Sequence, residues 1–323
     1  MRSMKPVGYA VTLSLGTLII TVIPALAQAW PQRTVRVLVP NPAGVALDTI
    51  ARLFAEGLAM RWRNPVIIEN LPGVDGIPAA REFATRKDDH TLLYSFPGLI
   101  TINPLLHDKL PYDPNRDLVP IASTSDNFLG IAVSTSLKIG SLGEFAQFAR
   151  TNAGKVTWAA TPGLPYYAFA AFQQSTRSKM VQASYRDFNQ ALADLGESRI
   201  DAVSTGVTPL LPHIQAGRAR LLVVLNRNRA SVAPDVPTVT EAGYPNLTFS
   251  AVTGFFGWRD MPTVLREHIA ADVRAIASDP AVQARLTKLG ATVSSGTPAE
   301  FVSSIEEQSA RVAEITRSLK TAQ

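Results

Sequence analysis

The sequence contains no cysteine. That removes disulfides, thiol nucleophiles and thiolate metal sites together. Histidine is scarce as well. His90, His107, His213 and His268 are the whole set, and no two stand at the spacing of a metal pair. They read as surface or helix-end residues, and Asp88-Asp89 and Glu306-Glu307 as solvated charge. The motifs that mark common enzyme chemistry are missing too: G-x-S-x-G, the Walker lysine loop, G-x-G-x-x-G and H-E-x-x-H. Charge of one sign is not concentrated anywhere. Without two basic residues near the start, 29 of the 31 Lys and Arg face 26 Asp and Glu, and they are scattered rather than gathered in a stripe, so no nucleic-acid partner is expected. No long apolar run follows the first one, which argues against a multi-span membrane protein.

That first run is what the sequence does have. Arg2 and Lys5 open the chain, Val7 to Ile23 is mostly apolar, Pro24 breaks it, and Ala25-Leu26-Ala27-Gln28-Ala29 offers small residues at cleavage spacing. Residues 1–29 therefore read as a secretory leader, cleaved after Ala27 or Ala29, and the periplasm as the expected location.

The remainder alternates strands with helices. Val35 to Val39 is a β-branched run, Pro40 to Leu47 a Pro/Ala/Gly loop, and Asp48 opens a helical pattern through Ile50, Leu53, Phe54 and Leu58. Val66 to Glu69 and Thr91 to Ser95 are further strands, the first ending at the Asn70-Leu71-Pro72-Gly73 turn. Leu129 to Val133, Val156 to Ala160, Ile200 to Val203 and Ala219 to Leu225 repeat the pattern. Ser141-x-x-Glu144 has capping-box spacing, Thr208-Pro209 fits a helix start, and Asp279-Pro280 and Thr297-x-x-Glu300 begin C-terminal helices. The alternation predicts parallel sheets in an α/β fold, with ligands beyond the carboxyl ends of the strands. This points to the loops Pro40 to Leu47, Ser95 to Ile100 and Thr161 to Pro165.

Several short segments are more specific than this grammar: Trp30-Pro31, Ile102-Asn103-Pro104, Lys109-Leu110-Pro111-Tyr112-Asp113-Pro114, Pro212-His213-Ile214-Gln215-Ala216-Gly217, and Pro234-Asp235-Val236-Pro237-Thr238-Val239 with Glu241-Ala242-Gly243. With them the chain from Trp30 onward resembles the Bug family, the periplasmic substrate-binding receptors of tripartite tricarboxylate transporters. The resemblance implies a two-lobed fold of the periplasmic binding protein kind, type II-like, with the ligand cleft between lobes. The lobes would be 30–127 with 251–323, and 128–250, with the C-terminal helices packed back on the first lobe. It also implies capture of a small organic carboxylate for a membrane permease, with no cofactor, no metal and no catalysis. A receptor for a signalling partner and a secreted hydrolase or lyase are the alternative readings.

In the family the carboxylate is held by backbone amides at a strand-to-helix turn, an anion site that needs no fixed cation. The matching residues are Asn41, Ala43, Gly44, Val45 and Asp48, with Val45 standing where the family has a second glycine. Asp48 reads as an N-cap as well as a candidate contact. Phe96, Pro97 and Gly98 belong to the next loop, and Thr161, Gly163, Leu164, Tyr166, Tyr167 and Thr205 to the second lobe. Pro162, Leu164 and Pro165 replace family hydrogen-bond donors there, so a ligand with an apolar or aromatic body is expected over a citrate-like polyacid.

Overall fold

The structure, a computed structural model, describes residues 30–321. The leader reading, residues 1–29, lies outside the described residues. In chain order the elements are β1 (Val35–Val39), α1 (Ala46–Trp62), β2 (Val66–Asn70), α2 (Ile77–Arg86), β3 (Thr91–Ser95), α3 (Gly98–Thr101), α4 (Asn103–Leu106), β4 (Val119–Asn127), β5 (Leu129–Ser134), α5 (Leu142–Thr151), β6 (Thr157–Ala160) and α6 (Leu164–Thr176). They continue with β7 (Val181–Gln182), α7 (Phe188–Gly196), β8 (Ala202–Gly206), α8 (Leu211–Gln215), β9 (Ala219–Val224), β10 (Ala251–Gly257), α9 (Thr263–Ala277), α10 (Pro280–Lys288), β11 (Ala291–Val293) and α11 (Pro298–Thr321).

The strands form two sheets, ordered β11-β4-β10-β3-β1-β2 and β7-β6-β8-β5-β9. The fold is α/β and two-lobed, one lobe per sheet. The sheets are mixed rather than parallel, which corrects the expectation from alternation. Strand β1 pairs parallel with β2 and β3, but β10 runs antiparallel between β3 and β4. In the second sheet β6 pairs parallel with β7 and β8, and β5 runs antiparallel to β8 and β9. The reason is topological. Strands β5 and β10 are the first their sheets receive after the chain crosses from the other lobe, so they enter from the cleft side while their neighbours leave by it.

Apolar residues of β1 and α1 (Val35, Val37, Val39, Ile50, Phe54, Leu58) share a core with Ile269, Val273 and Ile276 of α9. The second lobe is centred on Phe145, Trp158, Phe169 and Phe172. At about 25 cal/mol per Å² of apolar surface removed from water, such clusters dominate the stability of both lobes. Helix α11 joins the two. Phe301 and Ile305 pack in the first lobe, whereas Val312 and Ile315 pack with Phe169 and Phe172 in the second. The expectation that the C-terminal helices stay on the first lobe gives way here, because apolar residues continue along the 24-residue helix past the edge of one lobe.

Capping-box spacing translates into geometry. Ser141 Oγ accepts from Glu144 N (3.2 Å), and Glu144 Oε2 accepts from Gly140 N (2.7 Å). At α11 Thr297 Oγ1 likewise accepts from Glu300 N, while Glu300 Oε2 accepts from the N–H of Thr297 itself, and Asp279 caps α10 through Ala281 N (2.8 Å). At Thr208-Pro209 a single 3-10 turn, Thr208–Leu210, precedes α8 instead of one continuous helix.

Candidate functional site

A cleft of about 670 Å³ opens between the lobes. The carboxyl ends of β1, β3, β6 and β8 supply Pro40, Asn41, Ser95, Phe96, Thr161, Thr205 and Gly206; the crossovers supply Asn127, Phe128, Leu129 and Ala251. All three loops expected from the sequence contribute. Among the described residues no lysine, arginine or histidine lines the cleft, and Asp75 is the one ionisable side chain on its wall. The rest is apolar side chain, hydroxyl, amide and backbone.

Of the residues singled out above, Asn41, Phe96, Pro97, Gly98, Thr161, Gly163, Leu164 and Thr205 line the cleft. Ala43, Gly44, Val45 and Asp48 stand outside the lining, although Ala46 next to them is in it. Tyr166 and Tyr167 are also outside it. Tyr167 is 3% exposed and packs in the second-lobe core, where burial pushes its phenol up against a hydrogen bond with Thr316. Tyr166 stacks on Trp158 at 5.9 Å. Both residues fall in the first turn of α6, whose inner face turns toward Trp158 rather than toward the cleft. Trp158 itself is core, as its place in a buried strand suggests, stacked on Phe169 at 4.2 Å.

The loop before α1 is built from Asp48, but not as an N-cap. The helix begins at Ala46 with Val45 in the cap position. Asp48 lies in the first turn and reaches back, accepting from Gly44 N (2.8 Å), Asn70 Nδ2 (2.8 Å) and Arg52 Nε (3.0 Å). Asn70 Nδ2 also donates to Asn41 O (2.9 Å). Asp48 is thus a buried clamp on the loop. Burial pushes its carboxyl up, but Arg52, the Gly44 N–H and Asn70 outweigh that and hold it below the usual range. Gly44 adopts φ 87, which an L side chain rarely takes. The first-turn amides of a helix have no intrahelical acceptor, and at α1 they point toward the cleft end of the lobe. Helix α6 begins on the opposite side at Gly163 (φ 88), so two helix N-termini, one from each lobe, meet the cleft.

Residues that sequence reasoning did not assign complete the wall: Gly73 to Gly76, Asn103, Thr208, Pro209, Leu289 and Gln308 among them. Asn103, from the Ile102-Asn103-Pro104 segment, donates to Asp75 O (3.0 Å) and Tyr112 Oη (3.0 Å), and Tyr112 Oη donates to Leu99 O (2.9 Å). Burial raises the Tyr112 phenol to about 12. The motif residues thereby fix the cleft wall from behind. His107 Nε2 lies 2.8 Å from Asp75 Oδ2, so this histidine is tied to the site rather than simply solvated. His90 is buried, its Nε2 accepting from Gln32 N (3.1 Å). The dipeptide Asp75-Gly76, following Pro72-Gly73, was the available signal for a turn at the wall.

A second cavity, about 840 Å³, adjoins the first at Pro97, Phe128, Val252 and Gln308. It is the larger, yet its charged groups are already engaged: Arg227 with Glu307 (3.3 Å), Arg229 with Glu241 (3.0 Å), Asp126 with the Asn226 amide (3.0 Å) and Arg311 over the Phe249 ring (4.5 Å). The cleft at the strand ends is therefore the better ligand site. Asp88, Asp89 and His90 bring ligand atoms within 4.8 Å of one another. Arg33 stands between the two carboxylates, at 2.6 Å and 2.9 Å, where a cation would have to sit. It holds Asp88 down at about 2 against the effect of burial, with help from Thr91 and the His90 N–H.

Residues 50–320 match the family described as tripartite tricarboxylate transporter family receptor. A UPF0065 protein of Bordetella bronchiseptica is 30% identical over 307 residues, covering 93% of this chain and 90% of its own. Among solved structures, MatC of Rhodopseudomonas palustris with bound malate is 27% identical with a TM-score of 0.74, covering 89% of this chain and 100% of that one. R. palustris Rpa4515 with adipate is 25% identical with a TM-score of 0.77, covering 89% and 98%.

Proposed function

The chain belongs to the tripartite tricarboxylate transporter receptor family, and from that premise we propose that it is a periplasmic solute receptor. Its lobes, residues 30–127 with the chain from 251 onward and residues 128–250, close on a small organic carboxylate with an apolar body, aliphatic or aromatic. The bound acid is then handed to a membrane permease of the tripartite type. The observation that carries this reading is the composition of the cleft: helix N-termini from both lobes, a mainly apolar wall, and no basic side chain among the described residues. Backbone N–H groups at a helix start satisfy one carboxylate without a counter-charge. The amide of Ala46, where the start of α1 reaches the cleft wall, is the proposed anchor, with Asp48 holding its loop.

A polyacid would bring more charge than such a cleft can pair, at a cost of several kcal/mol for each uncompensated ion. The bound malate and adipate of the two R. palustris proteins, both diacids, support a carboxylate ligand in a fold of this kind; the proposal departs from them in the number of carboxylates this cleft pairs. Binding rather than turnover is the activity. His107, the one histidine held against a cleft residue, is engaged by Asp75, with no serine or threonine hydroxyl bonded to it among the described residues. Mass spectrometry of solute released on denaturing freshly purified protein tests the reading. A monocarboxylic acid is expected, and a neutral sugar or an organic cation would overturn it.

A further inference from the structure

Among the described residues the wall of the cleft carries one ionisable side chain, and it is acidic. Asp75 sits in the turn between β2 and α2 at φ 53, and Gly76 follows at φ 70. A Cβ on Gly76 would come within 3.1 Å of Leu99 and Pro40, so the turn is pressed against both neighbouring loops. The left-handed conformation at position 75 favours Gly, Asn or Asp, and either uncharged residue would satisfy the backbone as well. The conformation therefore does not explain the carboxylate.

Its surroundings hold it in place. The main-chain oxygen of Asp75 accepts from Asn103 Nδ2 at 3.0 Å, and Oδ2 is engaged by His107 Nε2 at 2.8 Å. Oδ1 has no hydrogen-bond partner among the described residues, and the side chain keeps 24% of its surface accessible. Among the described residues no lysine or arginine on the cleft wall offsets it.

We propose that Asp75 determines the class of acid this receptor takes: the ligand bears a hydroxyl or ammonium group that donates to Asp75 Oδ1, and acids with a second carboxylate at that place are rejected. The inference rests on the carboxylate-receptor reading and deepens it. A donor facing Oδ1 makes a charge-assisted hydrogen bond, roughly twice as strong as a neutral one. A second carboxylate meets a like charge in a cleft from which closure removes water, where the field is screened least. The anchored carboxylate and the donor together describe a hydroxy acid or a zwitterionic amino acid.

Calorimetric titration at neutral pH with matched four- and six-carbon acids tests this: the unsubstituted acid, its terminal hydroxy and amino forms, and the diacid. In the wild type at least one donor-bearing form should bind about tenfold more tightly than the unsubstituted acid, with the diacid weakest. Asp75→Asn should bring the unsubstituted acid, the donor-bearing forms and the diacid to within about threefold of one another. Asp75→Gly, which also accepts the left-handed backbone, should do the same and guards against a folding defect peculiar to one variant. Tightest binding by the diacid, or a ranking unchanged in both variants, overturns the role of Asp75 while leaving the carboxylate reading intact. If no acid of either length binds the wild type, the carboxylate reading fails and this inference falls with it.

Discussion

Asp48→Ala is the substitution in which the build of the anchor loop can be read most directly. The carboxylate is 2% exposed and accepts three hydrogen bonds. Arg52 is half exposed and contributes little once its partner is gone. The Gly44 N–H and Asn70 Nδ2 are part-buried, and each loses an ionised acceptor at about 1.5 kcal/mol. The fold should therefore lose about 3 kcal/mol, read as a lower urea midpoint with an unchanged slope. Affinity should fall as well, although Asp48 does not line the cleft, because a loop freed of its clamp must be ordered again on binding. Fixing one or two residues costs about 1.4 kcal/mol each, so the carboxylate ligand should bind tenfold or more weakly. The acid limb carries a further signature. The carboxyl is held below its ordinary range in the fold, so its contribution is present above the unfolded value and is lost as pH falls through the folded one. The variant should show a shallower loss of stability on acidification. Equal midpoints, equal affinities and parallel acid limbs would refute the clamp.

Two other substitutions probe the crossovers. Burial pushes Asp126 up to about 6, against hydrogen bonds from Asn226, the Ala251 N–H and Ser250. A raised folded value means that this group's contribution is complete below the unfolded value and lost as pH rises through about 6. Asp126→Asn should gain melting temperature over the wild type above that point and match it near pH 4, roughly the unfolded value; parallel melting curves across the range would contradict this. Gly290 lies at φ 73, and a Cβ there would stand 1.9 Å from Thr208 Oγ1, across from the other lobe. Gly290→Ala should keep the lobes apart, enlarging the radius of gyration in small-angle scattering and weakening binding, and Thr208→Ala should restore part of both; an unchanged radius would count against the contact.

The loops at the strand ends were legible because strand, loop and helix follow one another in a pattern that fixes where a ligand can sit. Pro40, Asn41, Phe96 and Thr161 reach the cleft for that reason. Strands β4 and β10 escaped notice because they read as polar or glycine-broken. Ser123, Thr124 and Ser125 are buried, with Tyr94 Oη, Thr124 and Thr253 bonded together inside the sheet. Gly254 lies under Phe301, whose ring would be 2.6 Å from a Cβ at that position. Tyr166 and Tyr167 follow a cleft loop in sequence, yet the first turn of α6 directs Tyr167 into the core and lays Tyr166 against Trp158. The Asp75–His107 contact spans 32 positions, a separation at which no local pattern joins two residues.

The proposed function rests above all on backbone amides anchoring one ligand carboxylate in a cleft to which the described residues bring no lysine, arginine or histidine. Calorimetric titration with the acid released from the purified protein and with its neutral amide, otherwise identical, measures that anchor directly. The amide should bind at least about a hundredfold more weakly, the loss of charge-assisted hydrogen bonds at the start of α1. Equal affinity for acid and amide would contradict it.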